Sequence, residues 1–332
     1  MYSNIYIMDT ERQTLLKKWI SKLISSKFEI NAASSDASFR RYYRIKSSKG
    51  NKIVMDAPPD KEPLDSFLDI SKRLRDSEIN VPEIFEINEE HGFILMSDLG
   101  ADQYLKKLNS ETVYCLYTDA LDTMQRMQTE TDIQGLKLFD SNELLLEMNL
   151  FSEWFLKKQL KLDFDNTKAI FINECFQSII KIILNIPTKF VHRDFHSRNL
   201  MVTKKNNPGV LDYQDALVGP ITYDLASLLK DCYIKWNDDL MKKMVDSYYK
   251  RIRVAYPQMN FEEFIFWFDI TALQRHLKAI GIFSRLSQRD GKKQFLDDIP
   301  RTYSYIDDII DKYSELNDIK SLLNDLNINN KL

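Results

Sequence analysis

The spacing of apolar and polar residues changes once along this chain, close to residue 100. Before that point, short runs rich in β-branched and aromatic residues predict five strands, at 28–32, 42–45, 52–55, 83–88 and 93–97. Apolar residues that recur every three or four positions predict helices over 10–26 and about 63–78. After Gly100 the spacing is helical almost throughout. We therefore expect an α+β chain with a small sheet lobe, residues 1–99, and a larger helical lobe, residues 100–332.

One window interrupts the helical spacing, and it holds a dense set of polar residues. Residues 190–229 have the sequence FVHRDFHSRNLMVTKKNNPGVLDYQDALVGPITYDLASLL. Two short apolar strands flank a Lys-Lys-Asn-Asn-Pro turn within it, which predicts an antiparallel hairpin. The start of the first strand and the end of the second lie side by side in such a hairpin. Asn199 and Asp212 are therefore expected to meet at one mouth, with Asp194 a short loop away.

These three residues have the chemistry that phosphoryl transfer needs. An amide oxygen beside a carboxylate suits Mg²⁺, which prefers oxygen ligands and keeps phosphate oxygens as partners. The spacing is that of a His-Arg-Asp-x-x-x-x-Asn loop followed by a metal-binding Asp. Asp194 is thus the predicted catalytic base, and Asn199 and Asp212 are the predicted metal ligands. The alternative is a buried hairpin with incidental charges, but buried carboxylates without a partner would be costly.

The window resembles the aminoglycoside phosphotransferase-like family of small-molecule kinases, distant relatives of protein kinases. Further segments are similar to the bacterial kinases of cell-wall recycling that phosphorylate N-acetylmuramate and N-acetylglucosamine at the anomeric hydroxyl. These segments are SSDASFRRYYR (34–44), IVMDAPPD (53–60), FILMSDLG (93–100), LDYQDALVGPITYDLASLLKDCYI (211–234) and QRHLKAIGIFSRLSQRDGKKQFLDDIP (274–300). The resemblance implies a bilobal protein-kinase-like fold, ATP and Mg²⁺ as cofactors, and an amino sugar as the acceptor.

Composition and charge narrow the class of protein. The 332 residues carry a formal net charge of −3, which does not favour a nucleic-acid partner. The three cysteines are scattered without CxxC spacing, which argues against a disulfide framework or a zinc site. No apolar run approaches the roughly 18 residues that span a membrane, and the N-terminus lacks a signal-peptide pattern. We expect a cytoplasmic enzyme with no membrane, nucleic-acid or obligate protein partner.

The nucleotide is expected between the two lobes, held largely by the first one. The turn between the first two strands, which covers the phosphates in this fold, has no glycine and offers Ser35 and Ser38 instead. An ordinary polar hairpin turn is the alternative for this segment. The adenine is expected against the backbone of the hinge, at Met96, Asp98 and Leu99.

The third predicted strand departs from the kinase pattern. It has Met55 or Asp56 where kinases carry a Lys that pairs with the nucleotide phosphates. The similar cell-wall sugar kinases share this sequence, so the loss does not by itself imply an inactive enzyme. Arg40, Arg41 or Lys52 is expected to supply the missing charge, unless Mg²⁺ carries more of it.

Four residues are candidates for contact with the acceptor: His196, Asp215, Arg275 and His276. His196 follows the base by two residues and is expected to be exposed. Asp215 follows the metal ligand by three residues, where it can reach a sugar hydroxyl. Arg275 and His276 lie on a predicted helix, either on its solvated face or in a pocket for a carboxylate or the hydroxyls of an amino sugar. Asp224 is expected to be structural, as a helix cap that also holds the catalytic loop.

The sequence therefore predicts an ATP-dependent kinase that phosphorylates the anomeric hydroxyl of N-acetylmuramate or N-acetylglucosamine in peptidoglycan recycling. The identity of the sugar rests on the resemblance alone. Two alternatives remain open: another small-molecule kinase of the same fold, such as an aminoglycoside phosphotransferase, and a nucleotide-binding pseudokinase. Arg275 and Lys278 argue against a polycationic acceptor. The joint presence of Asp194, Asn199 and Asp212 argues against a pseudokinase.

Overall fold

The computed structural model describes residues 3–24, 26–34 and 39–331, with side chains from Glu11 onward except that of Ser34. The chain divides into two compact units. The N-terminal unit comprises residues 1–71 and 81–100, and the C-terminal unit comprises residues 72–80 and 101–332. Gly100 is thus the last residue of the N-terminal unit.

The N-terminal unit is built on one antiparallel sheet. Its strands follow the spatial order β1-β2-β3-β5-β4. The strands are β1 (Phe28–Ser34), β2 (Arg41–Ser47), β3 (Gly50–Asp56), β4 (Ile84–Asn88) and β5 (Phe93–Ser97). Helix α1 (Ser3–Leu23) precedes the sheet, and helix α2 (Asp65–Asp76) lies between β3 and β4 in the chain and runs on into the C-terminal unit.

The two faces of this sheet have different neighbours. Leu16 and Ile20 of α1 pack on one face, together with inward side chains such as Val54 and Phe93. Successive residues of a strand point to opposite faces, so Met55 and Met96 lie on the other face. Both methionines are almost completely buried.

The C-terminal unit is mostly helical. Its helices are α3 (Tyr104–Lys107), α4 (Val113–Glu130), α5 (Ser141–Leu150), α6 (Asn166–Ile183), α7 (Tyr223–Leu229), α8 (Asp238–Ile252), α9 (Phe261–Asp290), α10 (Ile299–Ile310) and α11 (Asn317–Asp325). A π-helical segment, Phe151–Gln159, continues α5, and short 3₁₀ turns lie at Lys293–Asp298, Ser314–Leu316 and Ile328–Lys331. Four short strands form two antiparallel pairs: β6 (Thr188–Val191) with β9 (Leu217–Pro220), and β7 (Leu200–Met201) with β8 (Gly209–Val210).

Helix α9 is the central element of this unit. Its N-terminus is capped by Asn260, whose side chain accepts a hydrogen bond from the Glu263 amide. Gly291 follows it with a φ of +70°, the left-handed conformation that commonly ends a helix. The helix packs against α5, the π-helical segment, α7 and α10. Because it is covered on several sides, polar residues in its middle are buried too.

The α+β class and the change from sheet to helix near residue 100 are confirmed. The first helix begins at Ser3 rather than at residue 10, since residues 3–23 contain no Gly or Pro to end it. The pair β6–β9 was not predicted. Its strands are four residues long and join segments about 30 residues apart, so local spacing gives little sign of them. No helix within the described ranges is both long enough and apolar enough to cross a membrane.

Candidate active site

The loop that carries the predicted base is held by a buried carboxylate, Asp224 of α7. This side chain is fully buried and accepts hydrogen bonds from the amides of His192 at 2.8 Å and Arg193 at 3.1 Å. Burial raises the pKa of Asp224 to about 6. Arg193 has a φ of +78°, which L-residues other than Asn and Asp rarely adopt. The loop-holding role predicted for Asp224 is therefore confirmed, whereas its predicted role as helix cap is wrong, because the N-cap residue of α7 is Thr222.

The hairpin brings Asn199 and Asp212 together, as its turn chemistry predicts. The Nδ2 atom of Asn199 lies 3.3 Å from Oδ2 of Asp212 and 3.0 Å from the backbone oxygen of Asp194. Gln214 Nε2 donates a hydrogen bond to Asp212 Oδ1 at 2.9 Å. Asp212 has a φ of +64°, a conformation for which Asp and Asn are enriched. Hydrogen bonds thus join the loop and both strands of the hairpin at one end.

The Asp194 carboxylate is the open acceptor of this cluster. Within the part of the chain that the structure describes, it accepts no hydrogen bond and forms no ion pair. Burial raises the pKa of Asp194, but Lys278 and Arg275 outweigh burial and hold that pKa well below its usual range. The carboxylate is therefore ionised at neutral pH and can accept a hydrogen bond from a bound hydroxyl.

A second buried carboxylate, Glu147 of α5, pairs with cations that lie near the predicted base. Its Oε1 atom lies 2.9 Å from Lys278 Nζ and also pairs with Arg193. Its Oε2 atom accepts hydrogen bonds from Gln274 Nε2 at 3.0 Å and from the Tyr223 hydroxyl at 3.4 Å. Lys278 and Arg193 lower the pKa of Glu147 although burial opposes them. This network holds both cations beside the loop.

Sequence reasoning missed Glu147 and Gln214 as parts of the site. The available signal was the position of Glu147, a lone acidic residue between Leu146 and Met148 in an apolar stretch of helix. A charged side chain at such a position is usually buried only together with a partner. The sequence does not indicate which cation that partner is.

The prediction that His196 is exposed is wrong. Only 9 % of the residue is exposed, and its ring packs edge-on against Tyr233 with centroids 5.2 Å apart. Burial lowers the pKa of His196 to about 4, so the imidazole is neutral at pH 7. Asp215 is exposed, and its carboxylate lies 3.4 Å from Gln214 Nε2.

Arg275 and His276 do not lie on a solvated face, since 5 % and 0 % of these residues are exposed. The imidazole of His276 stacks on Tyr305 of α10 and bonds through Nε2 to the Lys230 carbonyl at 2.8 Å. These contacts give His276 a packing role. Arg275 differs, because its one hydrogen-bond contact among the described residues is the Cys232 sulfur, 3.9 Å from Nη1. The contacts of His276 therefore give no support to the prediction that it binds the substrate, whereas Arg275 stays a candidate for that role.

The hinge residues of the N-terminal unit form a tight turn. The Asp98 carboxylate accepts two hydrogen bonds from Arg44, at 2.6 and 3.0 Å, and one from the Gly100 amide at 2.9 Å. Asp98 thus shapes the hinge through its side chain. Leu99 makes no hydrogen bond with the rest of the described chain, so its backbone can pair with a base. Met96 lies on the sheet face opposite α1.

The cations predicted to bind the nucleotide phosphates are placed less favourably for that role than the hinge residues are for the adenine. Arg40 is buried and pairs with Glu62 at 3.0 Å. Arg41 is paired across the sheet with Asp56 and so lies on the α1 face, away from Met55. Lys52 lies over the Phe85 ring, 4.1 Å from its centroid. The predicted phosphate-binding residues Ser35 and Ser38 lie outside the described residues.

The structure also shows the surroundings of Met55 and Asp56, one of which stands where kinases carry the strand-three Lys. Met55 lies on the face away from α1 and is fully buried, whereas Asp56 points to the α1 face. The Asp56 carboxylate pairs with Arg12 of α1, whose guanidinium also donates to the His91 carbonyl at 2.7 Å. Asp56 is therefore half of a structural ion pair, and the kinase Lys has an apolar replacement.

The donor set at the hairpin mouth fits magnesium and does not fit a closed protein cage. Among the residues described, no group of three or more His, Cys, Asp or Glu side chains is arranged to hold a metal ion. One carboxylate and one amide oxygen are enough for Mg²⁺, which keeps several waters and takes substrate phosphates as ligands. Asp212 and Asn199 supply that pair.

Comparison with known proteins agrees with this geometry. The chain is 37% identical over 304 residues to the N-acetylmuramate/N-acetylglucosamine kinase of Neisseria meningitidis serogroup B, covering 89% of this chain and 90% of that protein. It is 38% identical over 280 residues to the kinase of the same name from Pseudomonas aeruginosa, covering 83% and 82%.

Solved structures share the fold at low sequence identity. The choline kinase LicA of Streptococcus pneumoniae superposes with a TM-score of 0.64 at 12% identity, covering 90% of this chain and 99% of that one. ADP-bound aminoglycoside phosphotransferase APH(2'')-Ib superposes with a TM-score of 0.60 at 16% identity, covering 87% and 96%. The model of the phosphotransferase enzyme family (APH) matches residues 29–261. This chain therefore belongs to the APH phosphotransferase family and is a kinase with a hydroxyl acceptor.

Proposed function

We propose that this kinase transfers the γ-phosphoryl group of ATP to the anomeric hydroxyl of N-acetylmuramate or N-acetylglucosamine, giving the sugar 1-phosphate. One observation carries the proposal: the chain is similar over about nine-tenths of its length to a kinase named for these two sugars. The open Asp194 carboxylate on a firmly held loop supports it. A role in peptidoglycan recycling follows from the sugars.

Asp194 is proposed to bind the acceptor hydroxyl and to take its proton as the phosphoryl group is transferred. Phosphoryl transfer depends mainly on positioning and on neutralisation of charge. An ionised carboxylate that has no other partner is suited to orient the attacking oxygen. The bonds from Asp224 to the preceding amides fix the direction from which it does so.

Asp212 and Asn199 are proposed to hold Mg²⁺ through a carboxylate and an amide oxygen. When bound, Mg²⁺ neutralises charge on the nucleotide phosphates. Gln214 holds the Asp212 carboxylate through its 2.9 Å hydrogen bond. The Asn199 side chain is held by the Asp194 carbonyl, which couples the metal ligand to the loop of the base.

The nucleotide is proposed to bind mainly to the N-terminal unit. The backbone of Leu99 is the best-supported contact for the adenine, since it is not engaged elsewhere in the described chain. Met96 offers an apolar surface, and Asp98 shapes the hinge. Of the cations, Arg40 remains proposed at the phosphates, while the position of Arg41 gives that role no support.

The acceptor is proposed to contact Arg275, Asp215 and the ring of His196. Asp215 is exposed and can accept hydrogen bonds from sugar hydroxyls. His196 is buried beside Tyr233 and neutral at pH 7, so it offers a ring face or one N–H. Its Nδ1 atom has no hydrogen-bond partner in the described chain.

An aminoglycoside acceptor is less compatible with the charges around the base. Lys278, Arg275 and Arg193 all act on Asp194, and a polycationic antibiotic would meet like charges there. A pseudokinase is disfavoured because the base, its tether and both metal ligands are present and hydrogen-bonded together.

The test is ADP release with Mg-ATP against a panel of acceptors. N-acetylmuramate, N-acetylglucosamine, N-acetylgalactosamine, kanamycin and choline would be compared at equal concentration. The proposal predicts release with the first two sugars and at most background rates with kanamycin and choline. A preference for kanamycin or choline would overturn it, and release with none of the acceptors would support the pseudokinase.

A further inference from the structure

Arg275 is a buried cation that forms no ion pair with any described residue. Only 5 % of the residue is exposed, and its Nε atom has no hydrogen-bond partner within the described residues. Its one hydrogen-bond contact with the described residues is a weak one, between Nη1 and the Cys232 sulfur at 3.9 Å. A guanidinium has five N–H donors, and leaving them unpaired in a buried position is costly. The structure therefore leaves most of the hydrogen-bonding capacity of Arg275 for a ligand.

The charged residues described next to Arg275 do not use its free donors. Lys278, one helical turn along α9, is already paired with Glu147 at 2.9 Å. Asp231 is close enough to influence Arg275, but its two carboxylate oxygens accept the amides of Ser197 and Tyr233, each at 2.9 Å. No ion pair joins Asp231 to Arg275 in the part of the chain described.

The position of Arg275 relative to the base limits what it binds. The guanidinium lowers the pKa of Asp194, yet no hydrogen bond or ion pair connects the two side chains. Arg275 is thus near enough to Asp194 for one acceptor to reach both side chains, but only through different parts of that acceptor. N-acetylmuramate has an anionic group away from the reacting hydroxyl, a carboxylate on the ether arm at C3, two carbons around the ring from C1. N-acetylglucosamine has a neutral hydroxyl there.

We propose that Arg275 binds the carboxylate of the acceptor and makes the enzyme prefer N-acetylmuramate over N-acetylglucosamine. This inference rests on the proposed function. A guanidinium recognises a carboxylate through two parallel N–H···O bonds, and burial strengthens them. Arg275 is therefore a specificity-determining residue, whereas the role proposed for Asp194 is the same with either sugar.

The first test compares two substrates in one variant. In Arg275→Met, kcat/KM for N-acetylmuramate should fall about 10- to 100-fold, as expected for loss of a charged hydrogen bond, with most of the change in KM. The ratio of the kcat/KM values for the two sugars should fall about 10-fold or more, because only N-acetylmuramate has the carboxylate, whereas any effect of Arg275 on Asp194 is common to both sugars. Arg289→Met is the control, because it removes an exposed arginine from the same helix. Equal losses on both sugars would overturn the proposal and assign Arg275 to shared hydroxyls.

The second test needs no substitution and applies even if Arg275→Met fails to fold. The methyl ester of N-acetylmuramate keeps the ether arm but loses the negative charge. Wild-type enzyme should use the ester with a kcat/KM about 10- to 100-fold below that of the acid. An ester as good as the acid would overturn the carboxylate contact. If wild-type enzyme phosphorylates neither sugar, the proposed function itself fails, which is a different result from equal use of acid and ester.

Discussion

At the scale of single residues, the site combines one open carboxylate with several engaged ones. Asp224, Glu147 and Asp231 each accept at least two hydrogen bonds from the chain, whereas the Asp194 carboxylate accepts none in the described residues. Three buried acids therefore position the loop and the cations, and one acid remains for the acceptor. This division fits the role proposed for Asp194, because phosphoryl transfer depends more on the orientation of the carboxylate than on its basicity.

The first prediction concerns this open carboxylate. Asp194→Asn should lower kcat by a factor of about 10² or more, because the amide cannot take the hydroxyl proton. The melting temperature and the affinity for ATP should stay near wild type, since no described contact depends on the carboxylate. Steady-state ADP release and thermal melting measure these effects, with Asp163→Asn, which changes an exposed aspartate that has no proposed role in the site, as the control. Turnover close to the wild-type rate would show that Asp194 is not the base.

The second prediction concerns Glu147, which we infer to be a positioning residue. Glu147→Gln leaves Arg193 and Lys278 without their buried anion, so unfolding should become easier by about 3 kcal/mol. kcat should fall by a larger factor than KM rises, because the substitution disturbs the loop that carries the proposed base. Glu143→Gln on the same helix removes a carboxylate paired with the exposed Lys137, and should cost less than about 1 kcal/mol. Equal effects in the two variants, by denaturant unfolding and kinetics, would contradict the role of the network.

At the scale of elements, the hairpin β7–β8 aligns the proposed metal ligands with the proposed base. Asn199 and Asp212 flank a pair of two-residue strands, and the Asn199 side chain also binds the Asp194 carbonyl. A hairpin this short has little stability of its own. Its geometry therefore depends on these polar contacts and on the His192 ring, which bonds to the Leu211 carbonyl at 3.0 Å.

The third prediction tests the hairpin mouth as the metal site. Asp212→Asn retains a residue type that tolerates the positive φ, so the fold should survive. The rise in melting temperature that wild-type protein shows with Mg-ATP should be lost, because the charged ligand is gone. Asn199→Ala should give a smaller loss, since an amide is the weaker ligand. An undiminished rise in Asp212→Asn would place the metal elsewhere.

The fourth prediction concerns the packing of α9. A Cβ atom on Gly281 would come within 2.3 Å of the Leu150 backbone, where α5 passes into the π-helical segment. Helix propensity alone would make Gly281→Ala stabilising by about 1 kcal/mol. The close approach reverses this, and we expect destabilisation of about 1–3 kcal/mol through overpacking. Denaturant unfolding gives the sign directly, and a stabilised variant would contradict the described helix contact.

The elements differ in how far the sequence predicts them. The strands of the first sheet and the catalytic hairpin follow from local spacing and turn residues. The environment of α9 does not, because a helix covered on several sides has no polar face for periodicity to show. Arg275 and His276 therefore have an ambiguous pattern, and only their contacts separate a ligand-binding residue from a packed one. The pairing of Glu147 is also hidden from local spacing, because its partner Lys278 lies far along the chain.

At the scale of the whole molecule, family membership and individual residue roles have different support. The APH family and the kinase class follow from similarity that extends over most of the chain. The roles of individual residues are proposals from the contacts in each unit. The loss of the strand-three Lys is explained in part, since Met55 is a buried apolar residue and Asp56 is neutralised by Arg12.

The central claim is that the reacting group is the anomeric hydroxyl of an amino sugar, and the product reports on it directly. The enzyme would be incubated with Mg-ATP and either N-acetylglucosamine or its methyl glycoside, and each reaction followed by phosphorus NMR and a reducing-end assay. We predict a sugar 1-phosphate that has lost its reducing end from the free sugar, and no product from the glycoside, whose C1 oxygen is blocked. Phosphorylation of the glycoside at a rate similar to that of the free sugar, with a product from the free sugar that still reduces, would contradict the claim.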